Sequence, residues 1–290
     1  MSGGSGRLAV VGTPIGNLED ISRRAVRTLA EADVIFCEDT RRTRKLLSAL
    51  GLPAPRLVRL DANNEEDMAA VVVAALEAGS QAALVTDAGM PAVSDPGARL
   101  VAAVSSAGHR TEVVPGPSAV SAALALSGLP GTGYRFVGFL PRKGRERAVA
   151  LADLAATPTT VVIYEAANRV AGTVADLTGA CGADRPFVAA RELTKLHEEV
   201  WRGTLGEAGE WLERSGEPRG EWVLMLGPAP AAPPPEAAEL VRRITYELET
   251  RLAAGADRRQ AVVEVASRLG VPKRQVYALA LELKERLGKS

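Results

Sequence analysis

Short apolar runs that alternate with segments of helical spacing are the strongest constraint on the fold of this 290-residue chain. In the first part, runs that predict buried strands lie at 8–11, 34–37, 57–60, 82–86 and 111–114. Segments with helical spacing lie between them at 22–32, 40–50, 65–78 and 96–107. Strands that alternate with helices usually form a mostly parallel sheet with helices on both faces. The pattern therefore predicts an α/β domain over residues 1–118.

A second alternation of the same kind follows. Strands are predicted at 135–140, 160–164, 186–190, 199–201 and 221–226. Helices are predicted at 146–155, 168–180 and 207–214. Two strands stand close together around Gly203, so part of this sheet is expected to be antiparallel. Residues 119–227 are therefore predicted to form a second α/β domain.

The last part of the chain has a different character. Five of the 18 prolines fall within 227–235, which predicts an extended linker at 228–235. The tail at 236–290 has 11 Lys and Arg against 8 Asp and Glu, a net charge of +3. A turn at Gly270, with Pro272 opening the next helix, is typical of a helix-turn-helix that contacts nucleic acid. A small all-helical domain used only for packing is the alternative, and general frequencies favour it.

Composition excludes several classes of protein. The 35 basic and 35 acidic residues balance, so the chain is not a polycation, and 4% aromatic residues argue against a base-stacking platform. Cys37 and Cys181 lie far apart with only two histidines in the chain, which predicts no metal site and disfavours a disulfide scaffold. The longest apolar run, 69–76, is too short for a membrane span. We expect a soluble, cytoplasmic protein without a signal peptide.

Three loops rich in glycine and proline follow predicted strands of the first domain: GTPIGNLED at 12–20, TDAGMPAVSDPG at 86–97 and VPGPSAVSA at 114–122. Open α/β sheets bind ligands at the carboxyl ends of their strands, and glycine lets the backbone approach a ligand closely. None of the loops is a dinucleotide fingerprint or a Walker A motif. Each alone is compatible with a simple turn, with Asp20, Asp95 and Ser118 as helix caps and Pro96 opening a helix. Their convergence on one crevice predicts a ligand site.

Taken in order, these motifs resemble the tetrapyrrole methylase family of S-adenosylmethionine-dependent methyltransferases. The resemblance covers nearly all of 8–227. It includes CEDTRRTRKLL at 37–47, SGLP at 127–130, FVGFLPRKGRER at 136–147, RELTKLHEEVWRG at 191–203 and GEWVL at 220–224. CEDTR and RELTK-x-HEE are the motifs most typical of the ribosomal RNA branch. That branch methylates the ribose 2′-oxygen of a decoding-centre cytidine, cytidine 1402, in bacterial 16S ribosomal RNA.

The resemblance implies two α/β domains with the methyl donor, S-adenosylmethionine, in the cleft between them, a helical C-terminal domain, and a homodimer. Carried over motif by motif, the donor contacts are Pro14, Met90, Val93, Ser118, Ala119, Tyr164 and Ala190. Two departures stand out. Met90 replaces a threonine, which removes a hydroxyl. Ala166, Ala167 and Asn168 replace a Ser-Pro-His stretch, which puts any proton transfer by that histidine in doubt.

Methyl transfer to oxygen is an in-line displacement, and a ribose hydroxyl needs a base or nearby cations to lose its proton. The candidates for this catalytic role are Asp39, Lys195 and Glu198, with Glu38 as a further candidate base. Arg41 and Arg191 are the candidates for stabilising charge. The alternatives are that Glu38 and Asp39 cap a helix and that Lys195 and Glu198 form a surface ion pair.

Basic residues cluster after two of the predicted strands, where they can contact RNA phosphates. The residues predicted to contact RNA are Arg41, Arg44, Lys45, Arg142, Lys143 and Arg191, with Arg42, Arg145 and Arg147 in the same clusters. A solvated helix face is the alternative for such a cluster. Two other functions also stay open: carbon methylation of a tetrapyrrole in the cobalamin pathway, and non-enzymatic regulation through nucleic-acid binding by the tail.

Overall fold

The structure is a computed structural model that describes residues 6–216, 218–230 and 235–287. The chain divides into two compact units. The first ends at Ala229, and the second begins at Pro230. None of the described helices is both long enough and apolar enough to cross a membrane.

The first sheet contains the first five strands of the chain, all parallel, in the order β3-β2-β4-β1-β5. The strands are β1 (Arg7–Val11), β2 (Val34–Cys37), β3 (Arg56–Arg59), β4 (Gln81–Val85) and β5 (Arg110–Val114). The helices between them are α1 (Arg23–Ala30), α2 (Thr40–Ala49), α3 (Glu65–Glu77) and α4 (Ala98–Ser106). Buried residues of α1 and α2 pack on one face of the sheet, and those of α3 and α4 pack on the other. The predicted parallel sheet with two covered faces is confirmed.

The second sheet is mixed and has the order β6-β7-β10-β8-β9. Its strands are β6 (Tyr134–Phe139), β7 (Thr160–Ala166), β8 (Pro186–Arg191), β9 (Glu199–Thr204) and β10 (Glu221–Leu226). The helices of this half are α5 (Ala119–Ser127), α6 (Gly144–Ala156), α7 (Val170–Cys181) and α8 (Leu205–Ser215). Only the β6–β7 pair is parallel among the described strands of this sheet, and the other three pairs are antiparallel. The expected antiparallel part is therefore confirmed.

The two faces of the second sheet have different partners. Buried residues of α6, α7 and α8 pack on one face. The opposite face packs against α5 and against Ile15, which comes from the loop after β1. Because Ile15 belongs to the first half of the chain and lies in the core of the second, the two sheets share one compact unit.

Two buried charged side chains hold the ends of helices and strands in place through several hydrogen bonds each. Arg185, only 3% exposed, donates to the carbonyl oxygens of Ala155, Thr157 and Gly227, and so ties the end of α6 to the end of β10. Glu65 accepts from the backbone N–H groups of Gly97 (3.0 Å) and Arg99 (2.7 Å) at the start of α4. A buried guanidinium or carboxylate is tolerated where hydrogen bonds replace its lost hydration.

The expectations for helix starts are partly wrong. The helix expected to open at Pro96 begins at Ala98, because Gly97 adopts a φ of +134° that a helix does not allow. The Glu65 carboxylate, rather than Asp95, accepts from its first N–H groups. Asp20 lies in a 3₁₀ turn at Leu18–Asp20, and Ser22 caps α1 instead.

Two other predicted caps have different outcomes. Ser118 stands at the N-cap of α5, but its side chain makes no capping hydrogen bond. Asp39 caps α2, with its Oδ1 accepting from the N–H of Arg41 at 2.8 Å, so the capping interpretation of that carboxylate is confirmed.

The second unit contains α9 (Pro235–Ala253), α10 (Arg258–Leu269) and α11 (Lys273–Leu287). Ile244, Leu248, Val265 and Val276 are fully buried in the core that the three helices share. Gly270 ends α10 in the left-handed conformation (φ 65°), and α11 begins three residues later, as the helix-turn-helix pattern predicts. Part of the predicted linker at 228–235, residues 231–234, lies outside the described residues.

Candidate functional site

Three loops at the carboxyl edge of the first sheet lie side by side, because they follow the adjacent strands β4, β1 and β5. The N–H of Thr13 donates to the carbonyl of Gly89 (2.9 Å), and the N–H of Gly89 donates back to Thr13 (3.1 Å). The N–H of Gly12 donates to the carbonyl of Val114 (3.0 Å). The expected convergence of the loops is therefore present as backbone pairing.

Two of these loops approach so closely that only glycine fits at the contact. A Cβ added to Gly12 would lie 2.6 Å from the backbone nitrogen of Gly116 and 2.6 Å from the Met90 sulfur. A Cβ added to Gly116 would lie 2.7 Å from the carbonyl carbon of Gly12. Distances below 3.0 Å to backbone atoms are not found for real Cβ atoms, so any side chain would separate the loops.

Backbone strain is concentrated in two loops beside this edge. Ala92 (φ 64°) and Ser94 (φ 67°) lie in the loop after β4, and Glu192 (φ 50°) and Thr194 (φ 67°) lie in the loop after β8. These are all the non-glycine residues with positive φ in the described chain. Such conformations cost about 1–3 kcal/mol each and persist where surrounding contacts enforce them, often at functional sites.

The strained loop after β8 touches the first half of the chain directly. A Cβ on Gly16 would lie 2.5 Å from Cγ of Lys195 and 2.8 Å from the Leu193 carbonyl oxygen. Loops from both sheets therefore meet here and close one side of a cleft.

The cleft between the two sheets has a volume of about 480 Å³, within the range of small-molecule sites. Its wall includes residues of all three loops, of the β7 end, of the loop after β8 and of the start of β10. The lining residues are Ile15, Glu38, Arg42, Thr86, Asp87, Ala88, Gly89, Met90, Val93, Ser94, Asp95, Ser118, Ala119, Phe139, Tyr164, Glu165, Ala166, Ala167, Leu193, Gly220, Glu221, Trp222 and Val223.

Five carboxylates line this cleft, and two of them on the first sheet have protein partners. Glu38 accepts from the Thr86 hydroxyl at 3.1 Å. Asp87 accepts from the backbone N–H of Asp39 at 3.2 Å and forms an ion pair with Arg42 at 3.3 Å. Burial, reinforced by the nearby Glu38 charge, nevertheless raises the pKa of Asp87.

Two more carboxylates are held on the second sheet. Glu165, 2% exposed, accepts from the Thr173 hydroxyl (2.6 Å) and pairs with Arg169 (3.3 Å). Glu221 pairs with Nζ of Lys195 at 3.0 Å. Both acids therefore have cationic partners in the second half of the chain.

Asp95 differs from the other four. In the part of the chain that the structure describes, no side-chain cation and no backbone N–H pairs with its carboxylate. Burial raises its pKa to about 6, and the neighbouring Glu38 and Asp87 charges add to the effect, while the polar Thr86 side chain opposes it. Across the cleft, burial and the Asp95 charge raise the pKa of Tyr164 to about 12.

Of the seven residues predicted to contact a methyl donor, five line this cleft: Met90, Val93, Ser118, Ala119 and Tyr164. Pro14 precedes the lining residue Ile15 but does not itself line the cleft. Ala190 is fully buried in the core behind it. The predicted set is thus gathered on one side of the molecule, and its roles stay predictions.

None of the three nominated catalytic side chains is among the residues that line the cleft. The Asp39 carboxylate is held by the side chain and N–H of Arg41, which lowers its pKa. Glu198 accepts from the N–H of Thr194 at 2.6 Å. Burial alone would lower the pKa of Lys195, but its hydrogen bonds to Glu192 and Glu221 outweigh burial and raise it.

The predicted RNA-contacting residues are mostly exposed. On α2, the Arg41 side chain is 87% exposed, and Arg44 and Lys45 are also exposed. Arg142 and Lys143 are exposed just before α6. Arg191 differs, because it pairs with Glu199 (2.9 Å) and stacks 5.8 Å from the ring centre of the cleft residue Trp222. Arg147 also departs from the prediction, since it is held by Asp176, Thr173 and the Pro141 carbonyl.

Most of the departures from the family pattern fall on the cleft wall. Ala166 and Ala167 line the cleft, whereas Asn168 does not. The Glu165–Arg169 pair brackets the altered residues, and Arg169 also donates to the Leu140 carbonyl at 2.8 Å. This loop is therefore anchored on both sides of the substituted positions.

No motif in the sequence marks several of the residues that line the cleft. Leu193, Phe139 and the Gly220–Val223 backbone reach the cleft through tertiary packing of the second sheet. Asp87 and Asp95 carried a signal as short polar groups in a glycine- and proline-rich loop, and the structure adds that their charges face Glu38.

Comparison with known proteins agrees with this geometry. The family model for Tetrapyrrole (Corrin/Porphyrin) Methylases matches residues 7–209. The chain is 41% identical over 278 residues to Ribosomal RNA small subunit methyltransferase I of Synechocystis sp., covering 96% of this chain and 98% of that protein.

Two solved structures share the fold. The methyltransferase CobJ superposes with a TM-score of 0.58 at 21% identity, covering 79% of this chain and 97% of that one. Uroporphyrin-III C-methyltransferase from Thermus thermophilus, solved in complex with S-adenyl homocysteine, gives a TM-score of 0.53 at 22% identity, covering 76% of this chain and 96% of that one.

The raised pKa of Asp95 predicts a pH-dependent effect on stability. Because the folded state holds this proton until about pH 6 and an unfolded chain releases it near pH 3.8, ionisation of Asp95 destabilises the fold at higher pH. Asp95→Asn, which mimics the protonated form, should raise the free energy of unfolding at pH 8 by about 1–3 kcal/mol. The gain should vanish near pH 3.5. Urea unfolding at both pH values measures it.

The exposed Asp184, in the turn before β8, provides the matched control. Asp184→Asn should change stability little at either pH. An Asp95→Asn chain with the same stability as the unsubstituted protein at pH 8 would contradict the assigned environment of Asp95.

Proposed function

We propose that this chain, which belongs to the tetrapyrrole (corrin/porphyrin) methylase family, transfers a methyl group from S-adenosylmethionine to RNA of the small ribosomal subunit. The acceptor we propose is the ribose 2′-oxygen of a decoding-centre cytidine in 16S ribosomal RNA. The observation that carries the proposal is the extent of the similarity. The rRNA methyltransferase of Synechocystis matches 96% of the chain at 41% identity, whereas the two tetrapyrrole-methylase-fold structures cover 76–79% at 21–22%.

The size of the cleft suits S-adenosylmethionine as the methyl donor. Its volume of about 480 Å³ accommodates a nucleoside joined to an amino acid, and the close Gly12–Gly116 contact holds together two of the loops that form its wall. The donor would be held by Met90, Val93, Ser118, Ala119 and Tyr164, with Pro14 and Ala190 behind them. S-adenosylmethionine supplies an electrophilic methyl carbon on a positively charged sulfur.

Two phenylalanines pack against the Tyr164 ring. Phe136 and Phe139 meet the Tyr164 ring edge-to-face, with centroids 4.8 Å and 5.8 Å away. With a pKa of about 12, Tyr164 keeps its proton at neutral pH and serves as a hydrogen-bond donor rather than a base. Excluding water and holding the reacting groups in line are the main contributions a protein makes to such a displacement.

The RNA is proposed to lie across the basic residues beside the cleft. Arg41, Arg44 and Lys45 on α2, together with Arg142 and Lys143 before α6, are exposed and carry the charge that phosphate contacts need. Arg42 links this surface to the cleft, because it is 67% exposed while its guanidinium pairs with the lining residue Asp87. Arg191 is proposed to act through its stacking on Trp222.

The second unit is proposed to be an accessory RNA contact. At the start of α10 and α11, Arg259, Lys273 and Arg274 are exposed, and the guanidinium of the half-buried Arg258 lies 5.9 Å from the ring centre of the exposed Tyr277. Basic groups beside an aromatic ring suit a nucleic-acid backbone and its bases. A Lys273→Glu/Arg274→Glu chain should have a higher KM for ribosomal subunits with kcat preserved. An unchanged KM would leave the unit with a packing role.

Homodimerisation and a cytoplasmic location complete the proposal, and both rest on the family resemblance. Light scattering would give twice the chain mass for a dimer, and a mass of one chain would refute it. Detection of the protein outside the cytoplasmic fraction would refute the location.

The direct test is transfer of labelled methyl from S-adenosylmethionine to small ribosomal subunits that lack the modification, followed by nuclease mapping of the label. We expect label on one decoding-centre ribose. Label on a base would overturn the ribose assignment while keeping RNA as the substrate. No label although the donor binds would overturn the ribosomal assignment and direct the search to tetrapyrrole precursors. If S-adenosylmethionine does not bind, the alternative of a non-enzymatic regulator that binds nucleic acid through its tail is favoured.

A second test concerns the glycine contact. Gly12→Ala places a Cβ against Gly116 and Met90 and should weaken S-adenosylmethionine binding at least tenfold, about 1.4 kcal/mol, by separating the loops. Isothermal titration calorimetry measures the Kd. Gly131→Ala is the matched control, because its Cβ meets nothing within 4 Å and its φ is ordinary. Equal affinities for the two variants would exclude the loop contact as a determinant of the donor site.

A further inference from the structure

Phe139, at the end of β6, is an exposed aromatic residue in the wall of the cleft. It is 56% exposed, whereas Phe36 and Phe187 are buried and Phe136 is half-buried. An exposed ring gives up the stabilisation that burial would provide. Single exposed apolar residues are nevertheless common on protein surfaces, so the exposure of Phe139 assigns it no role by itself. Its placement in the strand and at the cleft does.

The strand that carries Phe139 has an extra residue just before it. In the β6–β7 pair, Phe136 lies opposite Val162. The next registered pair is Phe139 with Tyr164, so three steps along β6 match two along β7. In a regular strand, residues three apart lie on opposite faces, yet both phenylalanine rings contact Tyr164. The bulge therefore redirects Phe139 to this face, as bulges beside active sites do, although they are rare in parallel pairs.

The backbone on both sides of Phe139 is fixed. Gly138 has a φ of 63°, in the left-handed region that favours glycine. A Cβ on Gly138 would lie 3.0 Å from Oγ of Ser94, so the bulge packs closely against the loop after β4. On the other side, the carbonyl of the buried Leu140 accepts from the Arg169 guanidinium at 2.8 Å. The exposed ring is thus presented from a backbone that the neighbouring elements hold in place.

Phe139 stands between the proposed donor set and the proposed RNA surface. Its ring meets that of Tyr164, a member of the donor set, with the centroids 5.8 Å apart and the planes at 63°. Further along the chain, the exposed Arg142 and Lys143 follow within four residues. A nucleotide whose phosphates bind these basic groups therefore brings its base and ribose to the exposed ring.

A nucleobase is the chemical group that suits this ring. A ribose can reach a donor inside a cleft of about 480 Å³ only when its nucleotide leaves the stack of RNA bases, since a cleft of that size does not admit a helix. Unstacking a base costs free energy, and stacking it on an aromatic side chain offsets that cost. Phenylalanine has no hydrogen-bonding group, so the contact is made through the flat face of the base and tolerates any base.

We propose that Phe139 stacks on the base of the acceptor nucleotide and so holds its ribose at the cleft, an assignment that rests on the proposed function. The adenine of the donor is the other flat ring that such a side chain could contact. The acceptor base is favoured, because Phe139 is exposed and close in sequence to the basic residues before α6. Met90, Ser118 and Ala119 of the donor set are half-buried.

The experiment measures initial rates of labelled methyl transfer from S-adenosylmethionine to unmodified small ribosomal subunits, with the full chain. Phe139→Leu keeps an apolar side chain but removes the ring, so KM for the subunits should rise about tenfold with kcat within about threefold. The Kd for S-adenosylmethionine should stay within about twofold. Phe139→Trp, which keeps a flat ring, should have a KM within about threefold of the unsubstituted protein.

Tyr134→Leu is the matched control. Tyr134 is also an exposed aromatic residue, 50% accessible, at the other end of the same strand, and it is not among the residues that line the cleft. Its substitution should leave KM for the subunits unchanged. A KM for Phe139→Leu no higher than that of Tyr134→Leu, or a Phe139→Trp chain as impaired as Phe139→Leu, overturns the stacking assignment. A loss confined to donor Kd would make the ring a contact of the adenine and overturns it as well.

Should Phe139→Leu fail to fold, the tryptophan emission of the Phe139→Trp chain decides. Stacking predicts that unmodified subunits quench this emission more strongly than that of a Tyr134→Trp chain, and equal quenching overturns the assignment. If the unsubstituted protein transfers no methyl group to RNA, the proposed function fails together with this inference. Transfer by the unsubstituted protein with an unchanged KM for Phe139→Leu overturns this inference alone.

Discussion

Backbone pairing between Thr13 and Gly89 is the interaction on which the rest of the cleft depends. The two hydrogen bonds, 2.9 Å and 3.1 Å long, join the loops after β1 and β4, and the Gly12–Val114 bond adds the loop after β5. Because these loops follow adjacent parallel strands, the order of the sheet dictates which of them meet. Backbone contact at this distance excludes side chains, which explains why glycines stand at 12 and 116.

The second sheet turns this edge into a cleft. Ile15 leaves the first loop and enters the core that α5 forms with the second sheet, so movement of one sheet would disturb the packing of the other. The contact of Gly16 with the strained loop at 193–195 closes one side. The result is a cleft in which burial raises the pKa values of Asp95 and Tyr164.

Much of the fold could be predicted from the sequence, because buried parallel strands are short apolar runs with helical segments between them. The mixed second sheet was also predictable, since strands around Gly203 are too close for a crossover helix. The start of α4 was not, because the group that binds its first N–H groups is Glu65, more than thirty residues earlier in the chain.

The site could be predicted only in part, for a similar reason. Glycine- and proline-rich loops and family motifs mark Met90, Val93 and Ser118, which do line the cleft. They do not show which carboxylates already have partners. Asp39 looked like a candidate base beside Thr40, yet it caps α2 and binds Arg41. Asp95 looked like a helix cap, yet it lines the cleft, and only its tertiary neighbours distinguish it from Asp87.

We propose that the three loops after β1, β4 and β5, closed by the second sheet, form the donor site. Hydrogen exchange with and without S-adenosylhomocysteine, followed by mass spectrometry of peptides, tests it most directly. Slower exchange is predicted in 12–20, 86–97 and 114–122 and at the end of β7, with the core helices of the second unit unchanged. Slowing confined to other segments of the chain, with those three loops exchanging as before, would contradict the account.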